Sequence, residues 1–455
     1  MNSKLEEFNN KLKKSNIAII GLGVSNIPML DYLYDLGCNV TVFSNSKLDR
    51  DLIEHIEKYN YKYYIGDNAL DNLIGFDIIF RSPSCLPTKK ELVKAKESGS
   101  IITTEVREVL NLCPCKVIGV TGSDGKTTTT TIINEILKAN GYNTYLGGNI
   151  GTPLFTKIKD MKEDDIVVLE LSSFQLMDFD ISPDIAVVTN ISENHLDIHK
   201  DYEEYIESKK NIYKYQDNNG ILVTNLDNDI TNKFNGNGET RYFSRNEKIY
   251  NGFYTDGKYI YNKDKIIIDT NDIKLRGIHN YENICTALTA VRDLIDLDKS
   301  INAIKNFYGV EHRLEFVREI NGVKWYNDSV SSSPSRTIAG LNSFEENIVL
   351  IAGGYDKNLD YTSIAKPILD KVTKLILIGD TKDKIYESVV NLNNKIKKDI
   401  EIYKCNNLEE VVDRALKVAV KGEVVLFSPA SASFDMFKNF ADRGIKFKEL
   451  VNNLK

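Results

Sequence analysis

Short apolar runs separated by polar, amphipathic stretches dominate this chain. From Asn16 onward, residues 17–20, 40–43, 63–65, 77–80 and 101–103 read as strands. Helix-like segments fall between them, a rhythm that predicts a parallel sheet with crossover helices. A second group of runs, at 116–120, 166–170 and 185–189, predicts three parallel strands ending on one edge, where Thr121, Glu170 and Asn190 should converge. Residues 225–275 change character, with Asn, Asp, Gly and Tyr around short alternating segments, and predict a small appended antiparallel sheet. A helix follows over 280–294. Strand-like runs then return at 323–326, 348–352, 375–378, 400–403 and 424–427. The fold class is therefore α/β, and 455 residues exceed what one core supports, predicting about three domains.

Composition narrows the function. Lys and Arg total 58 against 65 Asp and Glu, a net charge of -7. That supplies no basic field for a nucleic-acid backbone, so no nucleic-acid partner is expected. No apolar run approaches the roughly 18 residues of a membrane span, and residues 1–14 lack the apolar core of a signal peptide. The expectation is a cytoplasmic protein with no membrane insertion. Six cysteines are scattered. Only Cys113-Pro114-Cys115 is close in sequence, too close and isolated for a zinc site, and all six are expected as reduced thiols.

The chemistry concentrates after the run at 116–120. Gly122, Ser123, Asp124, Gly125, Lys126, Thr127 and Thr128 link a strand to a helix and read as a phosphate cradle. Glycines admit a tight turn that aims N–H groups at phosphate oxygens, Lys126 adds positive charge, and Thr127 offers a hydroxyl to Mg²⁺. The general motif has glycine where this chain has Val120. Glu170 ends a buried run, where a carboxylate calls for Mg²⁺ or for a salt bridge to Lys or Arg. His195, just past the third run, is a candidate ligand or supporting group for a second metal. Lys209 and Lys210 sit on a predicted helix, where lysines are ordinarily solvated. Asn280 and Asn283, three apart at a helix start, can present amides to an adenine edge, and Asn280 can also cap the helix. Arg313 follows Glu311-His312 at a domain junction, where a guanidinium suits a γ-phosphate. Earlier, Gly21-Leu22-Gly23-Val24-Ser25-Asn26 is either a tight strand-to-helix turn or a diphosphate site. Ser44 ends the next strand where a standard NAD site has an acid, which argues against NAD.

Taken in order, Gly-x-x-Gly-Lys-Thr, Glu-Leu-Ser-Ser-Phe-Gln, Asn-x-x-x-x-His-Leu-Asp, His-Asn-x-x-Asn, Glu-His-Arg and Asn-Asp-Ser resemble the Mur ligase family of peptidoglycan synthesis over most of the chain. The ending, from Ser428-Pro429-Ala430-Ser431-Ala432-Ser433-Phe434-Asp435 to Arg443-Gly444, is most similar to its D-glutamate-adding members. The resemblance implies a Rossmann-like uridine-nucleotide domain (1–112), a central P-loop ATPase with the small antiparallel sheet (113–310) and a Rossmann-like amino-acid domain (311–455). It implies ATP and Mg²⁺ as cofactors, UDP-N-acetylmuramoyl-L-alanine and D-glutamate as substrates, an acyl-phosphate intermediate, and a monomer. Residue by residue, it implies Thr127, Glu170, His195 and a carbamylated Lys209 at the metals. Lys126, Asn280, Asn283, Arg313 and Asp328 would serve the nucleotide. Val24, Ser25, Asn149, Ser172 and Gln175 would serve the UDP substrate, and Ser332, Lys357, Ser433, Phe434 and Phe440 would serve D-glutamate.

Three positions depart from that pattern. Val330 stands where the family has lysine, and Arg336 is expected to replace its charge. Asn194 replaces an aspartate before His195, and Ser44 replaces an acid near the uridine. Alternatives are another Mur ligase, a folylpolyglutamate synthase, or a nucleotide-gated binding protein without ligase activity.

Overall fold

β-branched and aliphatic runs too short for helices, each closed by a glycine or polar turn, become the strands of four sheets. The computed structural model describes residues 2–48, 50–193, 198–275, 277–357 and 359–454. The first sheet comprises β1 (Asn16–Ile20), β2 (Asn39–Ser44), β3 (Lys62–Ile65), β4 (Ile78–Arg81) and β5 (Ile101–Thr103). They lie in the order β3-β2-β1-β4-β5, all parallel. A polar helix, Ser3–Leu12, precedes β1 and buries only Leu5 and Leu12, which is why the apolar pattern does not announce it.

The central sheet contains β6 (Lys116–Thr121), β7 (Thr144–Gly148), β8 (Ile166–Glu170), β9 (Ile185–Val188), β10 (Ile221–Asn225) and β11 (Glu239–Phe243), in the order β11-β10-β9-β6-β8-β7. All six run parallel. The expected antiparallel sheet exists as β12 (Phe253–Thr255), β13 (Tyr259–Asn262) and β14 (Lys265–Asp269). The expectation needs one correction at β11. It alternates in burial because it is an edge strand, yet it extends the parallel sheet, since alternation reports one-sided burial and not strand direction.

A single apolar core, including Ile17, Phe80, Val106, Phe155, Val167 and Leu176, runs from the first sheet into the central one. Arg81, fully buried at the end of β4, grips both carboxylate oxygens of Asp178 at 2.5 and 3.0 Å and the carbonyls of Phe174 and Cys85 at 3.2 Å. Such a charge is tolerable inside only because it is paired and hydrogen-bonded. Glu105 accepts the N–H groups of Leu154 and Phe155, each at 2.8 Å. These residues belong to one compact unit, Met1–Ile273 with Ile278–Lys305; Lys274–Gly277 with Asn306–Lys455 form the other.

The second unit holds the fourth sheet: β15 (Glu315–Ile320), β16 (Val323–Asn327), β17 (Ile348–Ala352), β18 (Val372–Leu377), β19 (Glu401–Lys404) and β20 (Val424–Phe427). Their order is β15-β16-β20-β17-β18-β19, parallel apart from the antiparallel edge strand β15. Each face carries its own apolar cluster, one around Leu350 and Leu426, the other around Trp325 and Phe447.

Candidate functional site

Parallel pairing sets the positions at the central sheet's carboxyl edge. β6 lies between β8 and β9, with Val120 opposite Glu170 and Thr121 opposite Val188. The loop after β6 therefore opens between Glu170 and Asn190, and helix Lys126–Ala139 starts at Gly125, a left-handed residue at φ +78°. Gly122 has φ +145°, and a Cβ there would lie 1.9 Å from Thr189 Oγ1. At Gly125 it would lie 2.4 Å from Asn283 Oδ1. Both glycines are required by position as well as by conformation.

The neighbouring strand end secures the loop. Ser123 N–H donates to Asn190 O (2.9 Å) and Asp124 N–H to Asn190 Oδ1 (3.0 Å), while Thr189 Oγ1 donates to Asp124 O (2.6 Å). Ser123 Oγ shares a hydrogen bond with Tyr205 OH (2.8 Å). Lys126 Nζ folds back onto the carbonyls of Gly122 (2.8 Å) and Ser123 (2.9 Å). Lys209 Nζ reaches the same Gly122 carbonyl at 2.8 Å and lies 4.8 Å from the centre of the Tyr205 ring. Lys209 is only 2% exposed. Burial and then the Lys126 charge push its amine well below the ordinary lysine range, against the opposing pull of Glu170 and Asp124. Its neighbour Lys210 instead pairs with Glu207 at the surface.

Glu170 is buried to 1% exposure. Asn149 Nδ2 donates to its Oε1 at 2.8 Å, while Oε2 is buried with no hydrogen-bond partner. A carboxylate oxygen left so in an apolar strand end is a costly arrangement that a hard cation relieves. The residues thus fit Mg²⁺, with Thr127 at the start of the neighbouring helix. His195 and Asn194 lie outside the described residues; among those described, no group of three or more His, Cys, Asp and Glu side chains gathers into a metal site. His199, which sequence reasoning passed over, is buried, stacks on Phe174 at 5.2 Å and meets Ser173 Oγ at 2.9 Å.

Asn280 and Asn283 sit on helix Ile278–Val291, with Asn283 Oδ1 accepting from Thr129 Oγ1 at 3.3 Å. This brings Asn283 against the cradle helix beside Gly125. Gln175 Oε1 accepts from Ser172 N–H (2.9 Å) and Oγ (3.1 Å), a capping box on the short helix Ser173–Leu176. In the first sheet, Asn26 is buried and its amide donates to the carbonyls of Gly21 (2.8 Å) and Ile20 (3.3 Å). Val24 is 75% exposed on that turn, beside Ser25. Ser44 turns its hydroxyl onto Ser46 O (2.7 Å).

In the second unit, Asp328 is buried and accepts from Ser331 Oγ (2.6 Å), Ser428 Oγ (2.7 Å) and Leu314 N–H (3.2 Å). Desolvation pushes it up to about 6 despite those donors and nearby Arg313. Arg313 lies between His312 and Leu314, both at positive φ. Lys357 Nζ lies 5.4 Å from the centre of the exposed Phe434 ring, next to buried Ser433; Phe440 meets His312 edge-on at 6.1 Å. Ser332 occupies the loop before helix Pro334–Leu341, and on that helix Arg336 Nη1 donates to Val330 O at 3.3 Å. Sequence reasoning gave Arg443 no role. It is buried, and it donates to Ser329 Oγ (3.0 Å) and to the carbonyls of Ser329 (2.8 Å), Ser431 (3.1 Å) and Ala432 (2.8 Å). Burial lowers its guanidinium to about 10.

Residues 120–291 match the Mur ligase middle domain, and residues 312–431 match the Mur ligase glutamate ligase domain. The chain is 49% identical to a UDP-N-acetylmuramoylalanine--D-glutamate ligase of Clostridium botulinum strain 657 over the whole of both chains. The chain belongs to the Mur ligase family. A protein of the same description from Clostridium acetobutylicum is 48% identical, again over the whole of both chains. Among solved structures, the UDP-N-acetylmuramate-alanine ligase of Thermotoga maritima aligns with 97% of this chain and 100% of its own, at TM-score 0.59 and 19% identity, a likeness of fold. As a Mur ligase the chain is an ATP-dependent enzyme that uses Mg²⁺.

Proposed function

We infer that this ligase joins D-glutamate to UDP-N-acetylmuramoyl-L-alanine in peptidoglycan precursor synthesis. The full-length 49% identity to a D-glutamate ligase carries that reading. It includes the C-terminal segment where Lys357, Ser433 and Phe434 lie together. Nothing favours a folylpolyglutamate synthase or a ligase-inactive binding protein over it.

A carboxylate is a poor electrophile. The γ-phosphoryl of ATP converts it to an acyl phosphate, and the amine of D-glutamate then displaces phosphate. The protein's task is to hold like-charged groups together and neutralise them. The start of the helix Lys126–Ala139 and the Lys126 ammonium take the phosphates in this reading, with Thr127 and Glu170 Oε2 as the cation's protein ligands, while Asn190 holds the N–H groups of Ser123 and Asp124. Asn149 orients Glu170. Burial supports Lys209 as a neutral amine, the form that adds CO₂ to become a carbamate; His195 is assigned to the second metal on the resemblance alone. Asn280, Asn283, Arg313 and Asp328 are assigned to the nucleotide. Val24, Ser25, Asn149, Ser172 and Gln175 go to the UDP substrate, and Ser332, Lys357, Ser433, Phe434 and Phe440 to D-glutamate, with the divisions 1–112, 113–310 and 311–455 following those three ligands.

Phosphate release from ATP tests the reading. It should require both UDP-N-acetylmuramoyl-L-alanine and D-glutamate, with L-glutamate inert; release indifferent to either substrate would return the chain to a nucleotide-binding core. Arg336, held at Val330, should carry the charge that Val330 lacks. Arg336→Ala should raise the KM for D-glutamate while ATP KM stays constant, and an unchanged D-glutamate KM rejects that role.

A further inference from the structure

The six cysteines divide into four that lie apart in sequence and two that touch. Cys113 Sγ and Cys115 Sγ are 3.1 Å apart, and Cys113 Sγ is 3.9 Å from Met161 Sδ. The pair occupies the connector between the helix Glu105–Leu112 and β6, the strand that ends on the phosphate loop. Both flanks are fixed. Cys113 N–H closes the helix on Val109 O at 3.0 Å, Asn2 Nδ2 holds Leu112 O at 2.6 Å, and Lys116 is registered opposite Ile166. Pro114 restricts the residue between them. The two sulfurs are therefore brought together by backbone already constrained on either side.

We propose that Cys113 and Cys115 are a reversible thiol–disulfide site, closed by exchange with a low-molecular-weight disulfide. Cys113 is partly exposed and Cys115 buried, so exchange begins at Cys113. The hydrogen bond from Cys115 also favours the Cys113 thiolate, while that contact and burial push the Cys115 thiol up. The Cys113 thiolate attacks one sulfur of the reagent, forming a mixed disulfide and releasing one thiolate, which takes up a proton. Cys115 gives its proton to solvent and attacks Cys113 Sγ. The Cys113–reagent bond breaks, the intrachain bond forms, and the second thiolate leaves. Two electrons pass from the protein to the reagent, and one disulfide and two thiols are present before and after. In a reducing compartment such a pair rests as the dithiol and responds to a change of poise.

The test uses the folded full-length chain, equilibrated with stepped ratios of reduced to oxidised glutathione, quenched in acid and alkylated under denaturing conditions. As the oxidised share rises, the peptide containing 113–115 should lose two hydrogens in mass and both alkyl groups, and regain them with reductant. Cys38, Cys85, Cys285 and Cys405 should stay alkylatable throughout. Cys115→Ser should accumulate one glutathione adduct on Cys113, and Cys113→Ser should leave Cys115 unmodified, with far-ultraviolet circular dichroism confirming that each variant is folded. Persistent alkylation of both cysteines, arrest of the wild-type chain at a glutathione adduct, or equal adduct formation at Cys115 in Cys113→Ser overturns the proposal.

Discussion

Two strand-to-helix turns in this chain begin alike and end differently. Gly21–Asn26 leaves β1 for the helix Ile27–Asp35, and Gly122–Gly125 leaves β6 for the helix Lys126–Ala139. In the first, the polar side chain points inward: Asn26 spends its amide on the carbonyls of Ile20 and Gly21 and so closes the turn on itself. In the second, the turn is held from outside by Thr189, Asn190, Tyr205 and Lys209, which leaves its own lysine resting on carbonyls that an anion can replace. The difference is not the number of glycines. A phosphate cradle needs neighbours that take over the work of holding the backbone, as Asn190 does at the N–H groups of Ser123 and Asp124, so that the helix start and its lysine can face the ligand.

Substituting glycine in each turn should break the likeness most sharply. Gly122→Ala places a methyl 1.9 Å from Thr189 Oγ1 at φ +145°, so the loop must move. Displacement of about 1 Å at reacting groups costs on the order of 100-fold in rate, and kcat/KM for ATP should fall at least that far. An ATP titration of phosphate release reads it directly. A variant with near wild-type kcat/KM would mean that the loop geometry does not matter.

The next effect is smaller and lies one strand away. Asn149→Ala removes the amide that holds Glu170 Oε1, so that oxygen loses its partner and joins Oε2, which has none. Loss of such a supporting hydrogen bond costs roughly 10–100-fold in metal affinity. The Mg²⁺ concentration for half-maximal turnover should rise accordingly, with saturating activity largely recovered. If Asn149 serves only the UDP substrate, the KM for that substrate moves and the Mg²⁺ requirement does not.

Much of this contrast was legible in the sequence. The runs at 116–120, 166–170 and 185–189 are continuous and apolar because their strands are buried on both faces, so their ends and the polar residues at those ends could be located. The apolar pattern does not mark β7, because Thr144–Gly148 is an edge strand with two glycines, or β15, because its residues are mostly half-buried. Lys209 and Lys210 are indistinguishable by periodicity. Only the tertiary placement of the helix Tyr202–Lys214, which sets Lys209 over its own Tyr205 ring and onto the Gly122 carbonyl, separates a buried amine from a surface one. The Asn149–Glu170 link joins strand ends 21 residues apart, a pairing that requires the register of β7 on β8.

That pair of lysines sharpens the comparison through pH. The folded chain holds Lys209 with its affinity for protons lowered, so between that lowered value and the ordinary 10.5 the unfolded chain binds the extra proton. Stability contributed at this site therefore rises with pH across the window, and the penalty is fully present below it. Lys209→Met should melt higher than the wild type near neutrality, with the gap closing as pH approaches 10, while ligase turnover is lost. Lys210→Met removes only a surface ion pair of about 0.5 kcal/mol or less and should show neither effect. A pH-independent gap for Lys209→Met would mean that the folded state holds the amine charged.

The smallest expected effect returns to the first turn and is the control for the whole comparison. A Cβ on Gly23 meets nothing within 4 Å, and no left-handed backbone angle demands glycine there. Gly23→Ala should therefore leave stability within about 0.5 kcal/mol of the wild type. If this turn acts through Asn26 as a structural closure, the KM for the UDP substrate should also hold. If instead its N–H groups approach the substrate's diphosphate closely, an added methyl intrudes between backbone and ligand, and that KM rises without a change in melting temperature. The pairing of thermal melting with substrate KM thus separates a turn that only connects β1 to its helix from one that binds, a distinction that the resemblance of its glycines to those of β6 does not supply.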